Sequence, residues 1–146
     1  RGLGDVYKRQ ILGLVPIVIT SGKDQHLLTE YFTSLRELAS DYSGYRFLPG
    51  HYGEFTEIKE ETDRIIAGYG ERCTQLRQVL AESNRPMTLL ELDQALYIQR
   101  MQTYRYSFLF SYLHTWPKLF SCLDWLFETG VIDRTEKDGV LYWSLR

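Results

Sequence analysis

Residues 45–53 read Tyr-Arg-Phe-Leu-Pro-Gly-His-Tyr-Gly, and the rest of the chain is best read outward from them. Tyr45 to Leu48 has the aromatic and apolar character of a short strand. Pro49-Gly50-His51-Tyr52-Gly53 then reads as a tight loop. Loops at strand ends are where α/β folds place metal ligands and catalytic groups. Gly50 and Gly53 permit the backbone angles that aim such a side chain. On these residues alone, a structural loop histidine explains His51 equally well. The other two histidines read more plainly. His114 sits among aromatic residues as a packed or partly exposed side chain, and His26 lies at a helix start facing solvent. No two of the three stand at ligand spacing.

Upstream of the loop, Ile11 to Thr20 is β-branched and apolar and ends at Ser21-Gly22. It predicts a buried strand, with Pro16 marking an edge or a bulge. A helix opens at Asp24 or Gln25, with Leu27, Leu28, Tyr31, Leu35 and Leu38 on its buried face. Asp41 to Gly44 is a turn. Downstream, a long helix begins near Phe55. Glu54, Glu57, Glu60, Glu61 and Asp63 crowd its start, where the helix dipole favours anions. Ile58, Ile65, Ile66, Tyr69, Cys73, Leu76 and Leu80 form its apolar stripe, and Gly68 and Gly70 weaken its middle. Ser83-Asn84-Arg85-Pro86 breaks the helix as a linker. Thr88 and Glu91 then form a Thr-x-x-Glu capping box, opening a helix to about Gln99. Tyr104 to Trp116 is a second, aromatic helix. Pro117 starts a third, ending at Gly130, with Leu119, Phe120, Leu123, Leu126 and Phe127 facing the core. Val131-Ile132 pairs with Val140 to Trp143 around a turn at Glu136 to Gly139. Helices followed by a terminal hairpin give a winged-helix shape.

Tyr31-Phe32-Thr33-Ser34-Leu35, followed by Phe47-Leu48-Pro49-Gly50-His51, resembles the C-terminal region of metallo-β-lactamase-fold hydrolases. Members commonly have a Tyr-x-x-Ser-Leu helix, a strand, Leu-Pro-Gly-His-Gly, and a long helix carrying an arginine, matched here by Arg77. Many end in a small winged-helix domain. The branch resembled includes hydroxyacylglutathione hydrolases and lactamase-like nucleases. The resemblance implies an α+β chain: the C-terminal strands and helices of an αββα sandwich over 11–82, a linker at 83–86, and a winged-helix domain over 87–146. It also implies that His51 is the last ligand of a two-metal site, usually zinc, with iron and manganese as other occupants. In the family, a metal-activated water cleaves ester, thioester or phosphodiester-type bonds of a small-molecule substrate.

The chain departs from the family pattern in ways that matter. His-x-His-x-Asp-His is absent, and Tyr52 replaces the glycine that usually follows the histidine. One imidazole cannot hold a catalytic zinc, which needs about three protein ligands. The chain alone is therefore expected to be inactive; the alternative is a winged-helix interaction or nucleic-acid-binding module without catalysis, and a pseudoenzyme that keeps the fold without the metal is a third reading. Residues 1–10 read Arg-Gly-Leu-Gly-Asp-Val-Tyr-Lys-Arg-Gln, and Asp5 to Gln10 resembles the translated end of a sequencing-library adapter. A genuine basic arm is the other reading. On the adapter reading the gene continues upstream, where the other ligands would lie. Gly4-Asp5 imitates the family's bridging Gly-Asp pair, but its spacing to Ile11 is too long for the ligand role. A truncated sandwich is expected to be poorly soluble or molten in its N-terminal half.

Composition narrows the partners. With 146 residues, 44% hydrophobic and 25% charged, the chain is of ordinary globular type. Net charge is −2, and −4 once Arg1, Lys8 and Arg9 against Asp5 are set aside. From Pro86 to Arg146 it is −1. The hairpin reads Asp133-Arg134-Thr135-Glu136-Lys137-Asp138, mixed rather than basic, which argues against nucleic acid. The apolar run Ile11 to Ile19 is too short to span a bilayer. Cys73 and Cys122 lie far apart in sequence without metal-type spacing, and read as inert core thiols of a reducing, cytoplasmic compartment. Tyr104, Tyr106, Phe108, Phe110, Tyr112 and Trp116 cannot all point inward. They imply an interface with the missing half or a homodimer contact through these helices, or an apolar wall facing substrate.

Overall fold

Leu28, Tyr31, Phe32 and Leu35 recur at three- and four-residue steps, so a helix gathers them on one face. The computed structural model describes residues 26–48, 53–100 and 115–146. In it that helix is α1, Leu27–Asp41, and these four are its buried residues. Phe32 joins the buried face, while Leu27 and Leu38 are only half-buried. The helix begins after an exposed His26 at φ 34, rather than at Asp24 or Gln25. The His26 carbonyl accepts the Glu30 N–H at 2.9 Å. Gly44 turns the chain beyond the helix at φ 82. The expected strand Ile11 to Thr20, the loop residues Pro49 to Tyr52 and the aromatic stretch from Tyr104 to His114 lie outside the described residues.

Of the strand expected over Tyr45 to Leu48, Phe47 alone is paired, in an isolated antiparallel bridge to Phe55. That pairing also corrects the start of the long helix. Phe55 is held in extended pairing, so α2 runs Ile58–Ser83. It is continuous through Gly68 and Gly70. Two compact units divide between Tyr69 and Gly70, within this helix.

In the first unit, the Tyr69 ring meets Tyr31 edge-on at 6.1 Å and Phe32 at 5.8 Å. Burial, reinforced by Tyr69 and Glu61, pushes the Tyr31 hydroxyl well above its ordinary pKa. Ile58 and Thr62 are buried one turn apart, and the Thr62 hydroxyl donates to the Lys59 carbonyl at 2.8 Å. Lys59–Asp63 and Glu61–Arg64 ion pairs line the exposed side.

The second unit takes its core from four sources. The second part of α2 contributes Cys73, Leu76, Val79 and Leu80. Helix α3, Leu89–Arg100, adds Leu92 and Leu96. Helix α4, Trp116–Glu128, adds Leu119, Cys122, Leu123 and Leu126. The hairpin adds Ile132 and Trp143. Its strands β1, Ile132–Lys137, and β2, Val140–Leu145, are antiparallel, with Ile132 opposite Leu145 and Lys137 opposite Val140. They are longer than the residue pattern predicts. Asp138 and Gly139 make the turn at φ 53 and φ 74, the paired left-handed angles that match strand twist. Met87 exchanges two backbone hydrogen bonds with Trp143, at 2.8 and 2.9 Å, extending the pairing by one residue. Among the described residues no helix is long and apolar enough to cross a membrane.

The start of α3 and the end of α4 are closed by specific hydrogen bonds. The Thr88 N–H donates to Glu91 Oε2 at 2.8 Å, and the Glu91 N–H to Thr88 Oγ1 at 3.3 Å, forming the expected capping box. At the C-terminus of α4, the Val131 N–H bonds the Leu126 carbonyl and the Gly130 N–H bonds the Phe127 carbonyl, with Gly130 at φ 72. This is a Schellman closure, which needs a left-handed residue.

Two glycine substitutions should therefore act in opposite directions. Gly130→Ala should lower unfolding free energy by about 1–2 kcal/mol through left-handed strain. Gly70→Ala, in a helix with nothing near its added methyl, should raise it by up to about 1 kcal/mol. Denaturant melts of both variants against the parent chain check the pair. A third expectation concerns pH. Hydrogen bonds from Thr88, with help from Arg85, hold the Glu91 carboxyl below its ordinary 4.5. A depressed folded pKa contributes stability above the unfolded pKa, and that contribution is lost as pH falls through the folded value. The stability gap between the parent and Glu91→Gln should be flat above about pH 5 and shrink below about 4, measured by melts at stepped pH.

Candidate functional site

The described residues on either side of the Pro49-Gly50-His51-Tyr52 segment form a closed neck. The Phe47 N–H donates to the Phe55 carbonyl at 2.8 Å, and the Phe55 N–H returns the bond at 3.2 Å. This reciprocal pair brings the two ends of segment 48–54 together as an antiparallel hydrogen-bonded pair. The two rings stack on the same joint, with centroids 5.0 Å apart and planes 22° from parallel. Phe47 is buried and Phe55 half-buried. On the flank, Arg46 Nε donates to Glu54 Oε2 at 2.7 Å and Nη2 reaches the same oxygen. Both of these side chains are well exposed, so the ion pair contributes less than the buried ring stack. The sequence accounts for this locally. Two phenylalanines flank a Pro-Gly-His loop, and an arginine and a glutamate of opposite charge stand beside them.

His51 itself, with Pro49, Gly50 and Tyr52, lies outside the described residues. Gly53 is described, is exposed, and takes no left-handed φ. Its part in aiming the loop is therefore not a glycine-only conformation. Among the described residues no three His, Cys, Asp or Glu side chains gather into a group that could hold a metal ion. His26 stands exposed before α1, and His114 lies outside the described residues. Arg77, matched to the family's helix arginine, is an exposed residue of α2 in the second unit.

Two arrangements in the second unit were not legible in the sequence. The buried carboxylate of Asp93 accepts Trp116 Nε1 at 2.9 Å. Cys73 and Cys122, distant in sequence, act on one another electrostatically within the second unit: Cys122 draws the Cys73 thiol below its ordinary pKa, while Cys73 and burial push the Cys122 thiol up. Helical spacing places each cysteine on an apolar face, but not which faces come together. Two cations at the hairpin, Arg134 and Arg146, are engaged internally. Arg134 pairs with Asp124 at 3.0 Å and lies over the Phe127 ring at 4.4 Å, and Arg146 pairs with Asp133 at 3.1 Å.

If ring burial holds the neck, Phe47→Ala should cost about 3 kcal/mol locally. Exchange of the Phe55 amide would then accelerate by about a hundredfold. Arg46→Ala, which removes only the exposed ion pair, should change it by less than about fivefold. Hydrogen-exchange mass spectrometry on peptides covering 45–58 distinguishes the two, and equal effects would refute the ranking.

No protein-family model and no curated protein matches the chain. Solved structures do. A beta-lactamase domain protein from Burkholderia ambifaria is similar with a TM-score of 0.64 and 19% identity, over 83% of this chain and 34% of that one. A metallo-beta-lactamase family protein from Thermus thermophilus is similar with a TM-score of 0.63 and 20% identity, over 92% and 40% respectively. The chain thus spans between a third and two fifths of the length of these structures. At this identity the likeness is one of fold, and the fold of this chain is that of part of a metallo-β-lactamase-fold protein.

Proposed function

We propose that this chain is the C-terminal part of a metallo-β-lactamase-fold hydrolase of the hydroxyacylglutathione hydrolase and lactamase-like branch. In this reading His51 supplies one ligand of a two-zinc site in the intact protein. The observation that carries it is the closed neck at Phe47 and Phe55. It holds together the two ends of the segment that contains Pro49-Gly50-His51, between α1 and α2, in a chain whose fold resembles part of a beta-lactamase domain protein and of a metallo-beta-lactamase family protein. Bound zinc would supply an activated water for attack on an ester, thioester or phosphodiester-type bond. The described residues do not form a metal site by themselves. In this reading the remaining ligands, the His-x-His-x-Asp-His set that the sequence does not contain, belong to an upstream part of the parent, and the chain alone does not turn over substrate.

Residues 87–146 fit the small winged-helix domain that many such hydrolases carry, with 83–86 as the linker. Support comes from the order α3, α4, β1, β2 and from the pairing of Met87 with Trp143. Its role is packing or walling the substrate cleft rather than reading nucleic acid. Arg134 and Arg146 already face Asp124 and Asp133, so the hairpin offers little uncompensated positive charge to a phosphate backbone.

The test is to read the coding sequence upstream of Ile11 and express the extended protein. The expected result is His-x-His-x-Asp-His upstream, a Gly-Asp pair immediately before Ile11, and about two zinc ions per chain by elemental analysis. His51→Ala should then lower the zinc content and abolish thioester or phosphodiester hydrolysis. A native start codon near Ile11, or an upstream region without that motif, would overturn the hydrolase reading in favour of an interaction module.

A further inference from the structure

Helix α2 passes from one compact unit into the other, and the two divide between Tyr69 and Gly70. Each unit grips its own part of the helix. In the first unit Ile58 and Thr62 are buried, and the Tyr69 ring meets Tyr31 at 6.1 Å and Phe32 at 5.8 Å. In the second unit Cys73, Leu76, Val79 and Leu80 are buried. From Asp63 to Arg72 no residue is buried, a span of nearly three helical turns. Most helix stability in a folded protein comes from packing of an apolar face, and over this span that support is thin.

The backbone is also weakest here. Gly68 and Gly70 flank Tyr69, and glycine is the poorest helix former after proline. Both are exposed, and a Cβ built at either meets nothing within 4 Å. No close approach of another element therefore requires glycine at these positions. The Thr74 hydroxyl donates to the Gly70 carbonyl at 3.0 Å, four residues back along the helix. A hydroxyl that shares this carbonyl with the helical N–H loosens the ladder and favours a bend. Side-chain pairs brace the helix on either side, Lys59–Asp63 and Arg64–Glu61 before the span and Gln78–Glu82 after it.

We propose that α2 carries a hinge over Gly68 to Thr74, centred on Gly70, on which the two compact units move as separate bodies. Tyr69 holds the helix to α1, and Cys73 is locked into the core of the second unit. Gly70 to Arg72 lies between the two grips and takes up the change in backbone angles. Hinges of this kind need only a few residues and leave the packed bodies intact. The inference does not depend on the hydrolase reading, because it uses neither His51 nor a bound metal.

The experiment reads the helix in two ways. First, in the unmutated full chain, the amides of 70–74 should exchange with deuterium about tenfold faster than those of 76–80, resolved by NMR. The double variant Gly68→Ala, Gly70→Ala should slow them by about twentyfold, roughly fivefold for each glycine removed. Thr74→Val keeps the side-chain shape, removes the hydroxyl and should slow them in part. Second, spin labels carried on p-acetylphenylalanine at Glu60 and Ala81, two exposed positions of α2, are separated by about 31 Å along a straight helix. Double electron–electron resonance should give a broad distance distribution that reaches well below the straight-helix value, and the double alanine variant should narrow it toward that value. A single narrow peak without those alanines, or amides of 70–74 as protected as those of 76–80, would overturn the hinge. Fast exchange running unbroken from Ile58 to Thr74 would overturn it as well, because the weakness would then belong to the whole first unit. Exchange in the unmutated chain decides the question even where a labelled variant fails to fold.

Discussion

The exchange of two backbone hydrogen bonds between Phe47 and Phe55 is the constraint on which the functional reading rests. A loop containing Pro, Gly and His is ordinary until its ends are fixed, because an unclosed loop spreads its side chains over many positions. Here the closure is supported by a ring stack on a buried Phe47. Burial makes the joint durable where the exposed Arg46–Glu54 pair alone would not. The same pairing delays the start of α2 until Ile58, since Phe55 cannot be both a bridged and a helical residue.

In the second unit, α4 plays the corresponding part. Leu119, Cys122, Leu123 and Leu126 recur at helical spacing and are all buried. Its C-terminus is closed by the Gly130 turn, which leads directly into β1. Arg134 then reaches back from β1 to Asp124, with Phe127 beneath its guanidinium. One cation thus serves packing, a partly buried ion pair and an aromatic contact together. The same contacts hold the hairpin against the helix. Both thiols, Cys73 and Cys122, are buried in this same unit.

Much of the local structure could be read from the residues. The capping box at Thr88 and Glu91, the proline at the start of α4, the glycine after its end and the Asp-Gly turn all act over a few residues. Their geometry follows from local hydrogen bonds and backbone angles. The buried face of α1 was legible for the same reason, with Phe32 the one large side chain missed. Element ends were read less well at Phe55 and over Tyr45 to Leu48, because a distant backbone partner, rather than propensity, chose the conformation there.

The sequence by itself determined the order of elements, the apolar faces, and the Pro49-Gly50-His51 motif with its family resemblance. These depend on side-chain type at fixed spacing. The tertiary structure alone decided which faces meet. It joined Phe47 to Phe55, Met87 to Trp143 and Asp93 to Trp116. Each pair is separated by a stretch of chain whose path no local rule specifies. Periodicity can say that Asp93 and Trp116 lie on helices, but only the packing of those whole helices sets the indole N–H against the carboxylate.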